Sequence, residues 1–153
     1  MIQRIQSVYL LLVVAISVAM FYVPIGEYEM IDKTTSHIIV HFDLTGFHFT
    51  QDNKEVHKPS YICMALNILV GVIALLTIFI YKRRKHQVRH CWFMIFLLII
   101  ELSFINFIIR FINPNDHASI GAYLPIAAIL LCFLAKRAIK KDDELVRSVD
   151  RLR

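Results

Sequence analysis

Apolar residues are concentrated in four long runs, Val8–Ile25, Tyr61–Tyr81, Cys91–Ile112 and Ile120–Ala138. A soluble domain would place its apolar residues at alternating or helical spacing instead of in unbroken blocks. A helix needs roughly 20 residues, at about 1.5 Å each, to cross the ~30 Å hydrocarbon core of a bilayer. The runs therefore predict an all-α membrane protein in which residues 1–153 form a single domain with four transmembrane helices.

The first run has one alternative explanation. Ser17, Val18 and Ala19 have the small–x–small form of a signal-peptide cleavage site, and Arg4 supplies a positive start. The apolar stretch continues past that position to Pro24, however, and is longer than the core of a usual signal peptide. We therefore expect the first run to be retained as a membrane span.

The 35 residues from Gly26 to Ser60 separate the first two runs and contain a β pattern. Residues 36–42 are rich in β-forming side chains, and residues 47–50 alternate between aromatic and polar side chains. The sequence Asp-Leu-Thr-Gly between them, Asp43–Gly46, has the composition of a turn. We therefore predict a small extracytoplasmic β-hairpin between the first two transmembrane helices.

The register of this hairpin has two alternatives. A two-residue loop at Leu44 and Thr45 places His41 opposite His48, whereas a bulge at Gly46 separates the two histidines. An isolated hairpin is only marginally stable in water, so its apolar side chains are expected to pack on the helix ends or on a partner. Those side chains are Ile38, Val40, Phe42, Phe47 and Phe49.

Positive charge is distributed unevenly among the loops, and this predicts the orientation of the chain. Segment 82–90 has five Lys or Arg in nine positions, and the stretch after the fourth run is also basic. Segment 26–60 has three Lys or Arg against six acidic residues, and segment 113–119 has no Lys or Arg. Short loops rich in Lys and Arg remain in the cytoplasm. Both termini are therefore predicted to be cytoplasmic, and the other two segments to lie outside.

The net charge of +5 arises from basic residues that lie directly against the ends of the apolar runs. This placement is typical of topology signals and of contacts with anionic lipid head groups, and it argues against nucleic-acid binding. The expected partners are membrane lipid and either a membrane protein or further copies of the chain. The candidate residues for binding lipid or a partner are Lys82, Arg83, Arg84, Lys85, Arg89, Lys140 and Lys141.

Residues 139–153 follow the fourth run and have the pattern of an amphipathic helix. Apolar residues recur there at spacings of three and four, so the fourth helix is expected to continue into the cytoplasm. The apolar stripe has three alternative roles: contact with the membrane interface, contact with another protein, or a simple solvated extension. The stripe consists of Ile139, Leu145, Val146, Val149 and Leu152.

The two ends of the chain resemble one known family. The opening MIQRIQSVYLLL (Met1–Leu12), the stretch RAIKKDDELVRS (Arg137–Ser148) and the closing DRLR (Asp150–Arg153) are similar to the ends of small four-span inner-membrane proteins of Bacteroidota. The resemblance extends over the full length and the layout of the spans. It implies a bacterial inner-membrane location. The family is catalogued as a domain of unknown function, so the resemblance implies no reaction and no catalytic residue.

Polar side chains at membrane depth are costly and are therefore candidates for function. Glu101 lies near the middle of the third run, on the helix face opposite Asn106 and Arg110. It is either a neutral carboxyl hydrogen-bonded to Ser17 or a backbone carbonyl, a proton- or cation-coupling group, or a contact with a partner's helix. Asn106 lies at nearly the depth of Asn67, which predicts a hydrogen bond between them. The candidate intramembrane polar site is Glu101, Ser17, Asn67 and Asn106.

The available residues argue against several classes of chemistry. The sequence has no Gly-rich phosphate loop and no HExxH or GxSxG motif, so we expect neither an enzyme nor a cofactor. A metal site on the histidines of segment 26–60 would need further ligands in tetrahedral reach, so these are predicted to be surface residues. Without a CxxC motif, the cysteines are predicted to be packing residues. They are Cys63, Cys91 and Cys132.

These patterns favour a non-enzymatic inner-membrane protein that serves as an accessory or scaffold subunit of a membrane complex. The alternative is a small oligomeric transporter or channel that uses Glu101. A transporter requires a water-accessible path to this carboxyl group and repeated or symmetry-related helices, whereas a scaffold requires neither. The two halves of the chain show no clear internal repeat.

Overall fold

The structure is a computed structural model that describes residues 3–31, 37–51, 54–80, 84–112 and 119–151. Its helices are α1 (Gln3–Ala19), α2 (Tyr61–Phe79), α3 (Arg84–Ile112) and α4 (Leu124–Arg151), with a 3-10 helix at Ile120–Tyr123 before α4. Helices α2, α3 and α4 are long and apolar enough to cross a membrane, and α1 is a shorter apolar helix of 17 residues. This agrees with the predicted helical membrane protein. Segment 113–118, predicted to be an outer loop, lies outside the described residues.

The first helix lies closer to the N-terminus than the predicted span, Val8–Ile25. Helix α1 ends at Ala19, whose carbonyl accepts a hydrogen bond from the Val23 amide in one last turn (3.1 Å). Pro24 then lacks the amide hydrogen that would continue the helix. The apolar residues up to Ile25 therefore form a turn and a link to the following strand.

Most of the basic segment 82–90 is helical and is not a loop. Helix α3 begins at Arg84, ahead of the predicted span, which begins at Cys91. Helix α4 runs without interruption to Arg151, as predicted for the tail. At about 1.5 Å per residue, α3 and α4 are each about 40 Å long, which exceeds the ~30 Å hydrocarbon core of a bilayer. Both helices are therefore longer than a membrane span requires.

Segment 26–60 forms a four-stranded antiparallel sheet and not a single hairpin. The strands are β1 (Gly26–Ile31), β2 (His37–Phe42), β3 (Gly46–Gln51) and β4 (Lys54–Pro59), in the order β1-β2-β3-β4. The predicted hairpin corresponds to β2 and β3, in which His41 pairs with His48. The hairpin prediction was incomplete because β4 is mostly polar, and because the alternation of β1 is short, from Glu27 to Met30, and follows directly on the first apolar run.

The turn between β2 and β3 has the two-residue loop, Leu44 and Thr45, of one of the predicted registers. Asp43 and Gly46 close it through hydrogen bonds from each amide to the other carbonyl (3.0 and 3.3 Å). The Asp43 carboxylate also accepts hydrogen bonds from the amides of Thr45 (2.7 Å) and Gly46 (3.0 Å). Asp side chains that bind the backbone two residues on are local determinants of turns. The register is therefore set by the local sequence.

The sheet packs on one end of the helical bundle through its apolar face. Val40 and Phe42 are almost fully buried, in agreement with the predicted packing on the helix ends, and Leu44 of the turn is buried as well. The side chain of Ile38, also predicted to pack there, lies outside those that the structure describes. Phe47 and Phe49 are partly buried against the same apolar cluster. The cluster also contains Met20, which follows α1, together with Cys63 of α2 and Ile105, Ile108 and Ile109 of α3.

A second apolar cluster fills the bundle between the four helices. Helix α1 contributes Leu10 and Val13, so it belongs to the same core as the other helices. Cys63, Cys91 and Cys132 are all buried and free, which agrees with their predicted packing role. The bundle therefore has two apolar clusters, one beneath the sheet and one between the four helices.

Candidate functional site

Glu101 is enclosed inside the helical bundle. It is 0% exposed, and Met94 and Ile105 on the same face of α3 are also fully buried. Asn106 and Arg110, on the opposite face, are exposed. The spacing of about 100° per residue therefore assigned Glu101 and Asn106 to opposite faces of α3 correctly, and the structure shows that the face of Glu101 is the buried one.

Asn67 of α2 is the hydrogen-bond partner of Glu101. Its Nδ2 atom donates to Glu101 Oε1 at 3.4 Å and lies 3.0 Å from the Sδ atom of Met20, which follows α1. Asn67 is only 1% exposed, so both partners are shielded from solvent. Glu101, Asn67 and Met20 together are termed the buried polar site.

Two oxygen atoms of the buried polar site have no hydrogen-bond partner among the described residues. They are Glu101 Oε2 and Asn67 Oδ1. Within the same part of the chain, no Lys or Arg forms an ion pair with Glu101. Buried polar atoms without partners cost free energy. A protonated Glu101 carboxyl would supply a hydrogen-bond donor, which the charged form lacks.

The other two predicted members of the intramembrane site lie elsewhere. Ser17 is buried but faces Gly71 of α2, where an added Cβ would lie 3.6 Å from the Ser17 Cβ. The structure pairs Glu101 with Asn67 and not with Ser17. The predicted hydrogen bond between Asn67 and Asn106 is wrong. Asn106 is exposed and donates to a carbonyl of its own helix (2.8 Å), because it is rotated about 140° around α3 from Glu101.

The β-sheet covers the buried polar site at one end of the bundle. Met20 belongs to the apolar cluster beneath Val40 and Phe42, as does Cys63, which lies one turn from Asn67 on α2. Packed apolar side chains therefore separate the carboxyl group from the surface on the side of the sheet.

Basic residues gather at the opposite end of the bundle, where Arg84 joins α3 to α4. Its guanidinium lies 3.2 Å from the Asp142 carboxylate and 3.9 Å from that of Asp143, and it donates to the Asp142 carbonyl (3.1 Å). Of the predicted lipid-binding residues, Arg84 therefore binds acidic residues of α4 within the protein. Lys82 and Arg83 lie outside the described residues. The exposed members are Lys85, Arg89, Lys140 and Lys141.

The histidines of the sheet form pairs with acidic residues and with one another. His48 Nε2 lies 3.1 Å from Asp43 Oδ2, and the His48 ring stacks on that of His57 with 4.4 Å between centroids. His41 lies 3.5 Å from Glu27. Within the described ranges, no three His, Cys, Asp or Glu side chains are grouped so as to hold a metal ion.

A comparison with protein families matches nearly the whole chain. Residues 2–152 match the family described as Domain of unknown function (DUF4293). The chain belongs to this family. The expected membership in a family of unknown function is thereby confirmed, and the sheet, the buried polar site and Arg84 all lie within the matched DUF4293 residues. A search of curated proteins found no match to the chain.

Sequence reasoning missed Asn67 as the partner of Glu101, although the sequence carried a signal for the buried face of α2. Asn67 shares the buried face of α2 with the small residues Cys63 and Ala74. Small residues on one helix face mark close helix packing in membranes. The contact of Arg84 with Asp142 had no comparable signal in this DUF4293 chain, because it joins residues that are far apart in sequence.

Proposed function

We propose that the chain is a four-span protein of the bacterial inner membrane with both termini in the cytoplasm. Two observations support this orientation. The sheet joins α1 to α2 at one end of the bundle, while the start of α3 and the extension of α4 meet at the other end through Arg84. The positive-inside rule assigns the basic end to the cytoplasm and the sheet to the outer face. The resemblance to inner-membrane proteins of Bacteroidota supports the same location.

We further propose that the protein is a non-enzymatic accessory or scaffold subunit of a membrane complex. The observation that carries this proposal is the continuation of α4 past the fourth apolar run, termed the projecting helix (residues 139–151). Ile139 at its base is fully buried, and Arg84 fixes it to α3. Leu145 and Val146, farther along, are 43% and 41% exposed. A fixed helix that presents apolar side chains outside the membrane is suited to binding a partner protein.

The environment of Glu101 supports the same proposal. Its carboxyl group is fully enclosed and hydrogen-bonded to Asn67, so it joins two helices within the bundle. In this conformation the side chain contributes to the core and is not part of an exposed path. A scaffold requires this kind of fixed core, whereas a transporter requires access for water or ions.

The proposal is tested by replacing Leu145 and Val146 with Glu in the tagged full-length protein. The wild-type protein should copurify from its own membranes, in mild detergent, with another membrane protein at constant stoichiometry. L145E/V146E should lose at least about 90% of that partner, because two charges prevent burial of the apolar surface. Native sizing and mass spectrometry measure the loss.

The matched control is Ser148→Glu combined with Arg147→Gln. It changes the net charge by the same amount but leaves both apolar side chains of the projecting helix in place, so the partner should be retained. Loss of the partner in both variants would assign the effect to charge alone. A wild-type protein that is purified as a monomer or a homo-oligomer without a partner contradicts the accessory-subunit proposal.

A second function, proton- or cation-coupled transport, is favoured by the two unpartnered oxygen atoms of the buried polar site. Glu101→Gln keeps the acceptor for the Asn67 amide but removes the ability to ionise. If the site couples transport, E101Q should reduce proton flux into proteoliposomes at least about 100-fold while assembly is unchanged. This is the effect expected when a side chain required for proton transfer is lost. Glu144→Gln, at an exposed carboxyl of the projecting helix, is the control. Equal flux in wild type and E101Q contradicts a coupling role.

A further inference from the structure

The N-terminal half of α1 and the middle of α4 border a groove of ≈ 350 Å³. Ile5 and Tyr9 of α1 and Leu134 of α4 give it an apolar wall, while Arg137 and Lys141 line the part nearer the end of the bundle. The two cations lie one turn apart on the same face of α4, and both are exposed. This feature is termed the α1–α4 groove.

The α1–α4 groove is uniformly positive. No acidic side chain lines it, and neither Arg137 nor Lys141 forms an ion pair with another described residue. An anion in the groove would therefore meet two cations that neither an acidic lining residue nor an ion pair neutralises. Charge complementarity thus selects a negatively charged ligand.

The groove on the other side of α4, between α3 and α4, differs in charge. It has a volume of ≈ 320 Å³ and is also basic, with Lys85 and Lys140 in its lining. Asp143 and Glu144 line it as well, so its positive charge is partly neutralised. Two grooves of similar size on one helix therefore provide a matched comparison.

Neighbouring residues place the α1–α4 groove at the level of the membrane interface. Lys136 Nζ lies 3.8 Å from the centroid of the Trp92 ring, and Trp is enriched at the boundary between lipid and water. Arg137 directly follows Lys136, and Leu134 lies farther into the apolar part of α4. The groove therefore extends from the head-group level into the hydrocarbon region.

We propose that the α1–α4 groove binds one anionic phospholipid. The lipid phosphate contacts Arg137 and Lys141, and an acyl chain lies along Ile5, Tyr9 and Leu134. A ligand with both a negative head group and an apolar chain satisfies both parts of the lining. The inference rests on the proposed membrane orientation, and it separates Lys141 from Lys85 and Lys140, which line the other groove.

The test measures lipid binding to the purified full-length protein by native mass spectrometry. Dioleoyl phosphatidylglycerol, dioleoyl phosphatidylcholine and glycerol 3-phosphate are the three probes. Wild type should bind phosphatidylglycerol at least about fivefold more tightly than phosphatidylcholine. A fivefold difference in affinity corresponds to the contribution of one cation near an anionic head group. R137Q/K141Q should weaken phosphatidylglycerol binding about 30-fold, since two such contributions are lost.

The control, K85Q/K140Q, removes the same charge from the other groove. It should weaken phosphatidylglycerol binding less than about threefold, because exposed charges remote from the ligand contribute little to its affinity. R137K/K141R retains both charges and should retain binding. If R137Q/K141Q fails to fold, Lys141→Gln alone provides the test, with an expected loss of about fivefold.

Three results would overturn the proposal. The first is equal affinity of wild type for the two phospholipids, and the second is an equal loss in R137Q/K141Q and K85Q/K140Q. The third is binding of glycerol 3-phosphate as tight as that of phosphatidylglycerol, which would show that the groove takes free phosphate and not lipid. None of these results depends on a partner protein, so they are distinguishable from failure of the copurification experiment.

Discussion

Replacing Gly46 with alanine is expected to open the sheet between β3 and β4 and to destabilise it by about 3 kcal/mol or more. Gly46 has a φ of +149°, a backbone conformation that residues with a side chain rarely adopt. A Cβ at this position would also overlap the carbonyl oxygen of Lys58 and would lie 2.8 Å from the Cα of Pro59. The backbone of β4 would have to move away from β3 to make room.

Hydrogen–deuterium exchange of residues 37–51 and 54–59 measures this effect in the purified protein. Gly71→Ala is the matched control, because its Cβ would meet the Ser17 Cβ at 3.6 Å, an ordinary van der Waals contact. Alanine is also favoured over glycine inside a helix by roughly 1 kcal/mol. G71A should therefore leave exchange unchanged or slower. Exchange in G46A at the wild-type rate would contradict the backbone geometry assigned to Gly46.

Replacing Asn67 with leucine is expected to lower the free energy of unfolding by about 1–3 kcal/mol. Asn67 is the only described residue that donates a side-chain hydrogen bond to Glu101, and the carboxyl group would stay buried without it. Reversible unfolding in mixed detergent measures the change, with the fluorescence of Trp92, the single tryptophan, as the probe.

Asn106→Leu is the control for this prediction. Asn106 is exposed and bonds only to its own helix, so its replacement should change the free energy of unfolding by less than about 0.5 kcal/mol. The double variant N67L/E101L should regain most of the stability lost in N67L, because removing both polar partners removes the unpaired buried group. Equal losses in N67L and N106L would contradict the pairing of Asn67 with Glu101.

Helix faces were predictable from the sequence because an α-helix fixes the angle between successive side chains. On α3, the spacing that separates Glu101 from Asn106 and Arg110 was sufficient to assign them to opposite faces. The choice of partner was not predictable in this way. Asn67 and Asn106 lie at similar depth, but hydrogen bonding also requires that both side chains face the same interface, and this depends on how α2 and α3 are rotated against each other.

The sheet shows the same division between local and non-local information. The turn at Asp43–Gly46 was predictable because Asp43 binds the amides of its own loop. Strands β1 and β4 were missed because β4 is mostly polar and the alternation of β1 is short. Their pairing depends on backbone hydrogen bonds to β2 and β3, which can form with almost any side chain. Their presence follows from the hairpin's need for neighbours and from its docking on the helices.

The sequence by itself determined the apolar helices, the charge asymmetry between the two ends of the bundle, the opposite placement of Glu101 and Asn106 on α3 and the turn between β2 and β3. Each depends on composition or on a short-range spacing that the chain carries locally. The tertiary structure alone decided that Glu101 meets Asn67, that Arg84 is engaged by Asp142, and that Arg137 and Lys141 share a groove with α1. These contacts join residues far apart in sequence, so they depend on the rotation and offset of packed helices, which no local pattern encodes.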